Sequence, residues 1–169
     1  MKTQKVPIRY LPKRLTRKDK KMQSQMLKKS RRLYKKGLYF TRKPVQSFKS
    51  KVSPHIIKAR KMYGVETIGA TDELAKKTGC SKDALSQIIR KGEGAYFSSG
   101  SRPNQTGQSW GIARLASSIT AGKAAAVDYN ILESGCKPGS KALALAKKAK
   151  KEYGHGQGTA PKVKLFGKV

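Results

Sequence analysis

A mainly α-helical fold is predicted, a small helical body with a long basic N-terminal arm and a basic C-terminal tail. Three features of the sequence predict it. Apolar residues recur at spacings of three and four through most of the chain, hydroxyl residues stand where helix N-caps belong, and period-two alternation is confined to residues 95–97. Charge sets the subdivision. The 169 residues carry 39 Lys and Arg against 9 Asp and Glu, a formal net charge of +30. Residues 1–61 hold 22 of these bases and one acid, Asp19; residues 62–140 hold nine bases and seven acids; residues 141–169 hold eight bases and Glu152. Three regions follow: a basic arm over 1–63, a near-neutral helical body over 64–139, and a lysine-rich helix and tail over 140–169.

The elements can be justified in order. Thr16, followed three positions later by Asp19, reads as an N-cap with an acid at N3 and opens a helix over about 17–36. Met22, Met26, Leu27, Leu33 and Tyr34 share one face of it. Arg31, Arg32, Lys35 and Lys36 fall in its last turns, where cations suit the helix dipole, and Gly37 stops it. Leu38, Tyr39, Phe40 and Thr41 read as extended, and Phe48 and Val52 are apolar anchors among lysines. Ser53-Pro54 opens a short helix to about Tyr63, carrying Ile56, Ile57 and Met62, which Gly64 closes. Thr71 caps a helix over about 72–78, and Ser81 caps another over about 82–91. A loop is expected from Gly92 to about Gln105. Helices over about 107–120 and 123–134 are separated by Gly122. Pro138-Gly139 makes a hinge, Ser140 caps a last helix over about 141–152, and residues 154–169 form a tail.

Several function classes lose their support at this stage. No run approaches 18 apolar residues, so no membrane-spanning helix is expected, and the basic N-terminus has no apolar run behind it, so no secretory signal is expected either. Cys80 and Cys136 lie too far apart in sequence for a metal clip and are read as two buried structural thiols in a reducing compartment. His55 and His155 have no carboxylate and nucleophile partners nearby in sequence. Glu66, Asp72, Glu73, Asp83, Glu93, Asp128 and Glu133 read as helix-start or solvent-face residues. The expectation is a non-enzyme with no cofactor, no metal and no small-molecule substrate.

Three motifs carry what functional signal there is. Ala75, Gly79, Ser81, Leu85 and Ile88 have the spacing of a helix-turn-helix, with Gln87 and Arg90 (beside Lys82 and Ser86) where bases would be read; an ordinary helical pair has the same spacing. The loop Ser98-Ser99-Gly100-Ser101-Arg102-Pro103-Asn104-Gln105-Thr106 leads into a helix N-terminus but lacks the phosphate-loop glycine and lysine spacing. It reads as a self-capping connector, an anion contact or a fixed contact loop. The arm is the third. Its bases (Arg9, Lys13, Arg14, Arg17, Lys28, Lys29, Arg31, Arg32, Lys35, Lys36, Arg42 and Lys43), joined by Arg102 in the loop, are candidate anion or nucleic-acid contacts. Interleaved aromatics, Tyr10, Tyr34, Tyr39 and Phe40, are free to stack. Its apolar positions, Met22, Met26, Leu27, Leu33, Tyr34, Tyr39, Phe40 and Phe48, imply docking on the body or on another subunit. Whether the charge meets phosphates or acidic protein faces stays open on the residues alone.

Two stretches have word-like specificity. One runs from Val6 through Val-Pro-Ile-Arg-Tyr-Leu-Pro-Lys-Arg-Leu-Thr-Arg-Lys-Asp-Lys-Lys to Met26-Leu-Lys-Lys-Ser-Arg-Arg-Leu-Tyr-Lys-Lys-Gly, Tyr39-Phe-Thr-Arg-Lys and Ser47-Phe-Lys-Ser-Lys. The other is Gly94-Ala-Tyr-Phe-Ser-Ser-Gly-Ser-Arg-Pro-Asn-Gln-Thr with Ser109-Trp-Gly-Ile-Ala-Arg-Leu-Ala-Ser-Ser-Ile-Thr. Over about residues 6–136 the chain resembles a family of small basic proteins of large double-stranded DNA viruses, the chlorella-virus group and relatives. The resemblance implies a viral protein carried in the virion and supplies no catalytic residues. Its first implied role is a structural minor capsid protein that tethers capsomers on the inner face of an icosahedral shell, partnered by the major capsid protein and other minor capsid proteins. The other is a DNA-binding or packaging protein, in the virion or the host cell, partnered by genomic double-stranded DNA. The expected location is the capsid interior, after assembly in host cytoplasm or nucleus. A ribosome-associated protein shares the composition and stands third.

Overall fold

A computed structural model of the chain describes residues 4–154 and 160–166. Eight α-helices and one two-stranded sheet among these residues make the protein mainly α. They divide into two compact units, each built from discontinuous stretches of chain. The first comprises residues 4–51, 93–107 and 160–166, and the second residues 52–92 and 108–154. This differs from the expected division into arm, body and tail. Residues 4–51 are folded, residues 52–63 belong to the second unit, and so does the lysine-rich helix beyond Ser140.

In the first unit, β1 (Lys5–Pro7) pairs antiparallel with β2 (Lys162–Lys164), with Val6 opposite Val163. Part of the expected tail therefore returns as a strand. A short 3₁₀ turn, Ile8–Tyr10, leads toward α1 (Arg17–Tyr34). As the sequence indicates, the Thr16 hydroxyl accepts the Asp19 N–H, at 3.2 Å. The inward face of α1 carries Gln23, Ser24, Met26, Leu27 and Ser30. Val6, Tyr10, Leu11, Leu15, Leu27, Val45, Phe48, Tyr96 and Leu165 are buried in this unit. The apolar anchors of the arm thus have a partner within their own unit: the return of residues 93–107 and 160–166.

The second unit is a helical cluster. α2 (Pro54–Tyr63) has Pro54 at its first turn and Gly64 in the left-handed region as its C-cap, φ 63°. α3 (Asp72–Thr78) follows, capped by Thr71 and ended by Gly79, φ 79°. α4 (Lys82–Ser98) runs seven residues past the expected stop at 91, through Gly92 and Gly94. The glycines do not break it, because one of them is required for close packing. A Cβ on Gly92 would lie 2.5 Å from the Gly111 Cα in α5 (Gly107–Ser118), and a Cβ on Gly111 would lie 2.5 Å from the Ile89 carbonyl oxygen. The two helix backbones approach where neither has a side chain.

The expected helix over 123–134 is two helices, α6 (Lys123–Val127) and α7 (Tyr129–Gly135), which meet at Asp128, φ −97°, ψ 17°. Asp128 is buried rather than on a solvent face. Its carboxylate takes a two-pronged bond from Arg114 at 2.9 and 2.7 Å and a hydrogen bond from the Ser118 hydroxyl at 3.2 Å, with Lys91 at 3.7 Å. α8 (Lys141–Tyr153) packs on α6 and α7 through Ala142, Leu143, Ala146 and Ala149, so its lysines line only its outer side.

Cys80 and Cys136 are not free thiols. An isolated antiparallel bridge places their Cα atoms 3.8 Å apart, and they form a disulfide. The reading as two thiols fails because their pairing depends on this bridge, joined by the Ser81 N–H to the Gly135 carbonyl at 2.8 Å, and sequence spacing carries no trace of it. A cross-link over 56 residues restricts the unfolded chain enough to contribute about 4 kcal/mol. Treatment with dithiothreitol is therefore expected to lower the unfolding free energy by about that amount, and Cys80→Ser/Cys136→Ser to match the reduced protein without further response to reductant. Urea titrations with and without reductant measure both.

Candidate nucleic-acid interface

The first unit concentrates the charge. Of its described residues, 21 are Lys or Arg and two are acids, Asp19 and Glu93. The second unit holds 16 bases and seven acids and contains all four ion pairs found among the described residues. Asp19 is spent locally. It accepts the Ser47 N–H at 2.8 Å and also the Ser47 hydroxyl, and these bonds, the hydroxyl's first, hold its carboxyl below the ordinary carboxylate range. No base of the first unit lies within ion-pair reach of a carboxylate among the described residues.

The bases divide into two kinds. Arg42 is buried, 5% exposed. Its guanidinium donates to the Ser30 hydroxyl (2.9 Å), the Tyr96 carbonyl (2.9 Å) and the Ser101 hydroxyl (2.8 Å), and lies 3.8 Å from the centre of the Tyr96 ring. Its own N–H donates to the Tyr96 phenol at 2.9 Å. Burial, and to a smaller degree Arg31, push the guanidinium below its ordinary value, while Tyr96 and Tyr10 favour the charge. Arg42 was expected as a phosphate contact. It is a cross-link instead, because both of its terminal guanidinium nitrogens donate within the unit. Lys28 also departs from expectation in part, as its ammonium donates to the Phe166 carbonyl.

The remaining bases face water. Arg9, Lys13, Arg14, Arg17, Lys29, Arg32, Lys35, Lys36, Lys43 and Arg102 are exposed and Arg31 half-buried. Lys29, Arg32 and Lys36 follow one another at intervals of three and four, along one face of α1 and its last turn. At the other side of α1, Arg31 Nε donates to the Ser99 carbonyl at 2.8 Å, which fixes it against the 98–106 loop. Arg9 lies 5.1 Å from the Tyr10 ring centre, and Arg9 and burial together depress Arg102. The loop itself is held rather than self-capped: the Asn104 side chain accepts the Val45 N–H (2.7 Å) and donates to the Val45 (3.2 Å) and Phe48 (2.6 Å) carbonyls. Asn104, in the left-handed region at φ 63°, is an organising residue with no role assigned in the sequence reading; Asn in a turn-rich loop was its one signal.

The expected docking residues separate in the same way. Met26, Leu27 and Phe48 are buried within their own unit, and Met22, Leu33 and Phe40 are half-buried, so these do not form an outward face. Tyr34 and Tyr39 remain exposed. In the second unit, α3 and α4 are joined by residues 79–81, with Leu85 and Ile88 buried, Ala75 half-buried and the Ser81 hydroxyl accepting the Ala84 N–H, as a helix-turn-helix would have them. The side chains that would read bases are engaged with each other: Gln87 donates to Asp83 at 2.8 Å, Arg90 lies 4.0 Å from the same carboxylate, and Lys82 lies 3.2 Å from Asp72. His155 lies outside the described residues. Among the described residues no group of three or more His, Cys, Asp or Glu is placed to hold a metal, and no helix is long and apolar enough to cross a membrane.

The profile of a family of unknown function (DUF5824) matches residues 7–133, most of the chain, and the chain belongs to that family. No curated protein and no solved structure matches it.

Arg42 generates a stability prediction. Arg42→Ala leaves the Ser30 and Ser101 hydroxyls and the Tyr96 carbonyl without their donor and opens a void over the Tyr96 ring. The expected loss is about 3 kcal/mol in urea unfolding. Arg42→Lys recovers less than half of it, since an ammonium cannot reproduce the planar fork.

Proposed function

For this member of the DUF5824 family we propose a non-catalytic structural role in the particle of a large double-stranded DNA virus, in which the first unit binds the phosphate backbone of the genome. One observation carries the reading: a folded unit with 21 bases and two acids, none of the bases paired to a carboxylate among the described residues. Such a surface repels itself unless an external polyanion neutralises it. Exposed Lys29 and Arg32 on α1, with Lys36 in the turn that follows it, suit backbone tracking, which carries no sequence information. The mutual engagement of Asp83, Gln87 and Arg90 on α4 argues for the first unit as binder and against base reading by the helix-turn-helix-like pair.

A second reading keeps the protein in the particle as a minor capsid protein on the inner face of the shell, tethering capsomers next to the major capsid protein. Val52 and Ile57, 56% and 54% exposed and five residues apart around the start of α2, favour it as apolar surface that a protein neighbour would cover. Gentle opening of particles, nuclease digestion and a high-salt wash separate the two. Release with the DNA supports the genome-bound role, and retention with the empty shell supports the tether.

Binding measurements on the isolated protein test the first reading directly. Duplex affinity is expected to fall steeply with salt, with a log–log slope of about −7 for roughly eight phosphate contacts. Replacing Lys29, Arg32 and Lys36 by Gln makes the slope shallower by about 3 and weakens all duplex sequences alike. Gln87→Ala leaves sequence preference unchanged. A slope near zero, or an unaltered slope in the triple variant, argues against this face as the binder.

A further inference from the structure

We infer that the first unit also carries a base-stacking platform, centred on Tyr39, that takes an unpaired stretch of nucleic acid; this rests on the nucleic-acid reading above and deepens it. Tyr39 is 71% exposed, yet its ring is not loose. It sits 5.1 Å from Phe97 and 6.2 Å from Tyr34, centre to centre, each pair tilted by nearly 50°. Phe97 is braced in turn by the edge-on ring of Tyr96 at 4.9 Å, and Tyr96 is the fully buried ring on which Arg42 lies. An unbroken series of contacts therefore runs from the buried guanidinium to the exposed phenol, and the outer ring is held from below with most of its surface in water. An aromatic held in this way offers a π-face without further ordering cost.

The chemistry around the ring selects the occupant. Leu38, next to Tyr39 in sequence, is 54% exposed. Lys35 and Lys36 follow Tyr34 directly in sequence, and Lys29 lies 4.5 Å from the Phe40 ring centre. Neither acid of this unit lies in this stretch of chain: Asp19 is bonded to Ser47, and Glu93 stands one helical turn before Phe97 on α4. Two exposed aromatics, Tyr34 and Tyr39, with lysines adjoining Tyr34 in sequence match a strand that presents bases and phosphates together. In a duplex the base faces are already covered by one another, and only base edges and backbone reach a protein, so the platform discriminates in favour of single strands.

The test uses the full chain and three fluorescently labelled probes: an oligothymidylate, an abasic strand of equal length, and a duplex. The wild-type protein is expected to bind the thymidylate about tenfold more tightly than the abasic strand. Tyr39→Ala removes about tenfold in thymidylate affinity and leaves the abasic strand and the duplex unchanged, while Tyr39→Trp restores thymidylate binding. Circular dichroism melting confirms that a substitution at so exposed a ring leaves the fold intact. Loss of equal size on the abasic strand overturns the platform, because the ring then acts through charge placement alone. No loss on the thymidylate overturns it too and points to a protein neighbour over the same patch. A wild-type protein that binds none of the three probes overturns the nucleic-acid reading itself, whereas the other two failures leave that reading standing.

Discussion

The first unit depends on a guanidinium held out of water with no carboxylate beside it. Removing an unpaired charge from water costs several kcal/mol, which hydrogen bonds to the charged group must offset. Arg42 finds them in neutral partners: two serine hydroxyls and one carbonyl, with the face of an aromatic ring beside the guanidinium. Those partners lie on α1, on α4 and in the loop after α4, while Arg42 stands in the irregular segment between Gly37 and Lys51. Four stretches that are remote in sequence can satisfy it only in one mutual arrangement. The rest of the unit relies on that arrangement. Arg31 reaches Ser99, and Asn104 clasps Val45 and Phe48, once the loop carrying Ser101 is in place.

How much of this was legible follows from how local each cause is. Helix starts at Thr16, Ser53-Pro54, Thr71 and Ser140 were readable because a cap and its helix are adjacent in sequence, and all four caps accept the N–H that the rule requires. The extent of α4 was not, because Gly92 has the same letter whether it breaks a helix or lets another backbone approach, and only Gly111 decides. Asp128 looked like a surface acid because its partner Arg114 lies 14 positions away on a different helix. The disulfide has the same origin, since nothing adjacent to Cys80 announces Cys136. The bases of the first unit could be listed from the sequence, but their division into buried and exposed was hidden. Arg42 differs from Lys43 by burial, and burial is a property of the fold. The one sequence clue was the presence of apolar anchors within a polycationic stretch, and that clue did report a folded unit, with the partner surface supplied by the same chain.

The two units handle charge differently. In the second, Asp128 draws Arg114 and Lys91 to itself, and Asp72 and Asp83 pair with Lys82 and Arg90, so four of its 16 bases have a carboxylate partner. In the first, both acids together leave 19 bases uncompensated, and burial of its apolar residues, with hydrogen bonds and aromatic contacts, has to outweigh their repulsion. A polyanion that meets this surface removes repulsion that the fold otherwise carries. Its binding and the stability of the unit are then coupled, each strengthening the other by the same free energy.

Chain order makes that coupling a matter of timing as well. Residues 4–51 carry 18 bases, but their packing partners lie at 93–107 and 160–166. Contacts so far apart in sequence form late, after the loops between them have closed. Until then the N-terminal stretch is an unfolded polycation, and the attraction of any such stretch for polyanions needs no fold at all. Closing the unit does not create that affinity. It buries Arg42, withdraws Lys28 and fixes the others on one rigid scaffold beside Tyr39, so folding converts a diffuse attraction for any polyanion into a surface with a particular shape.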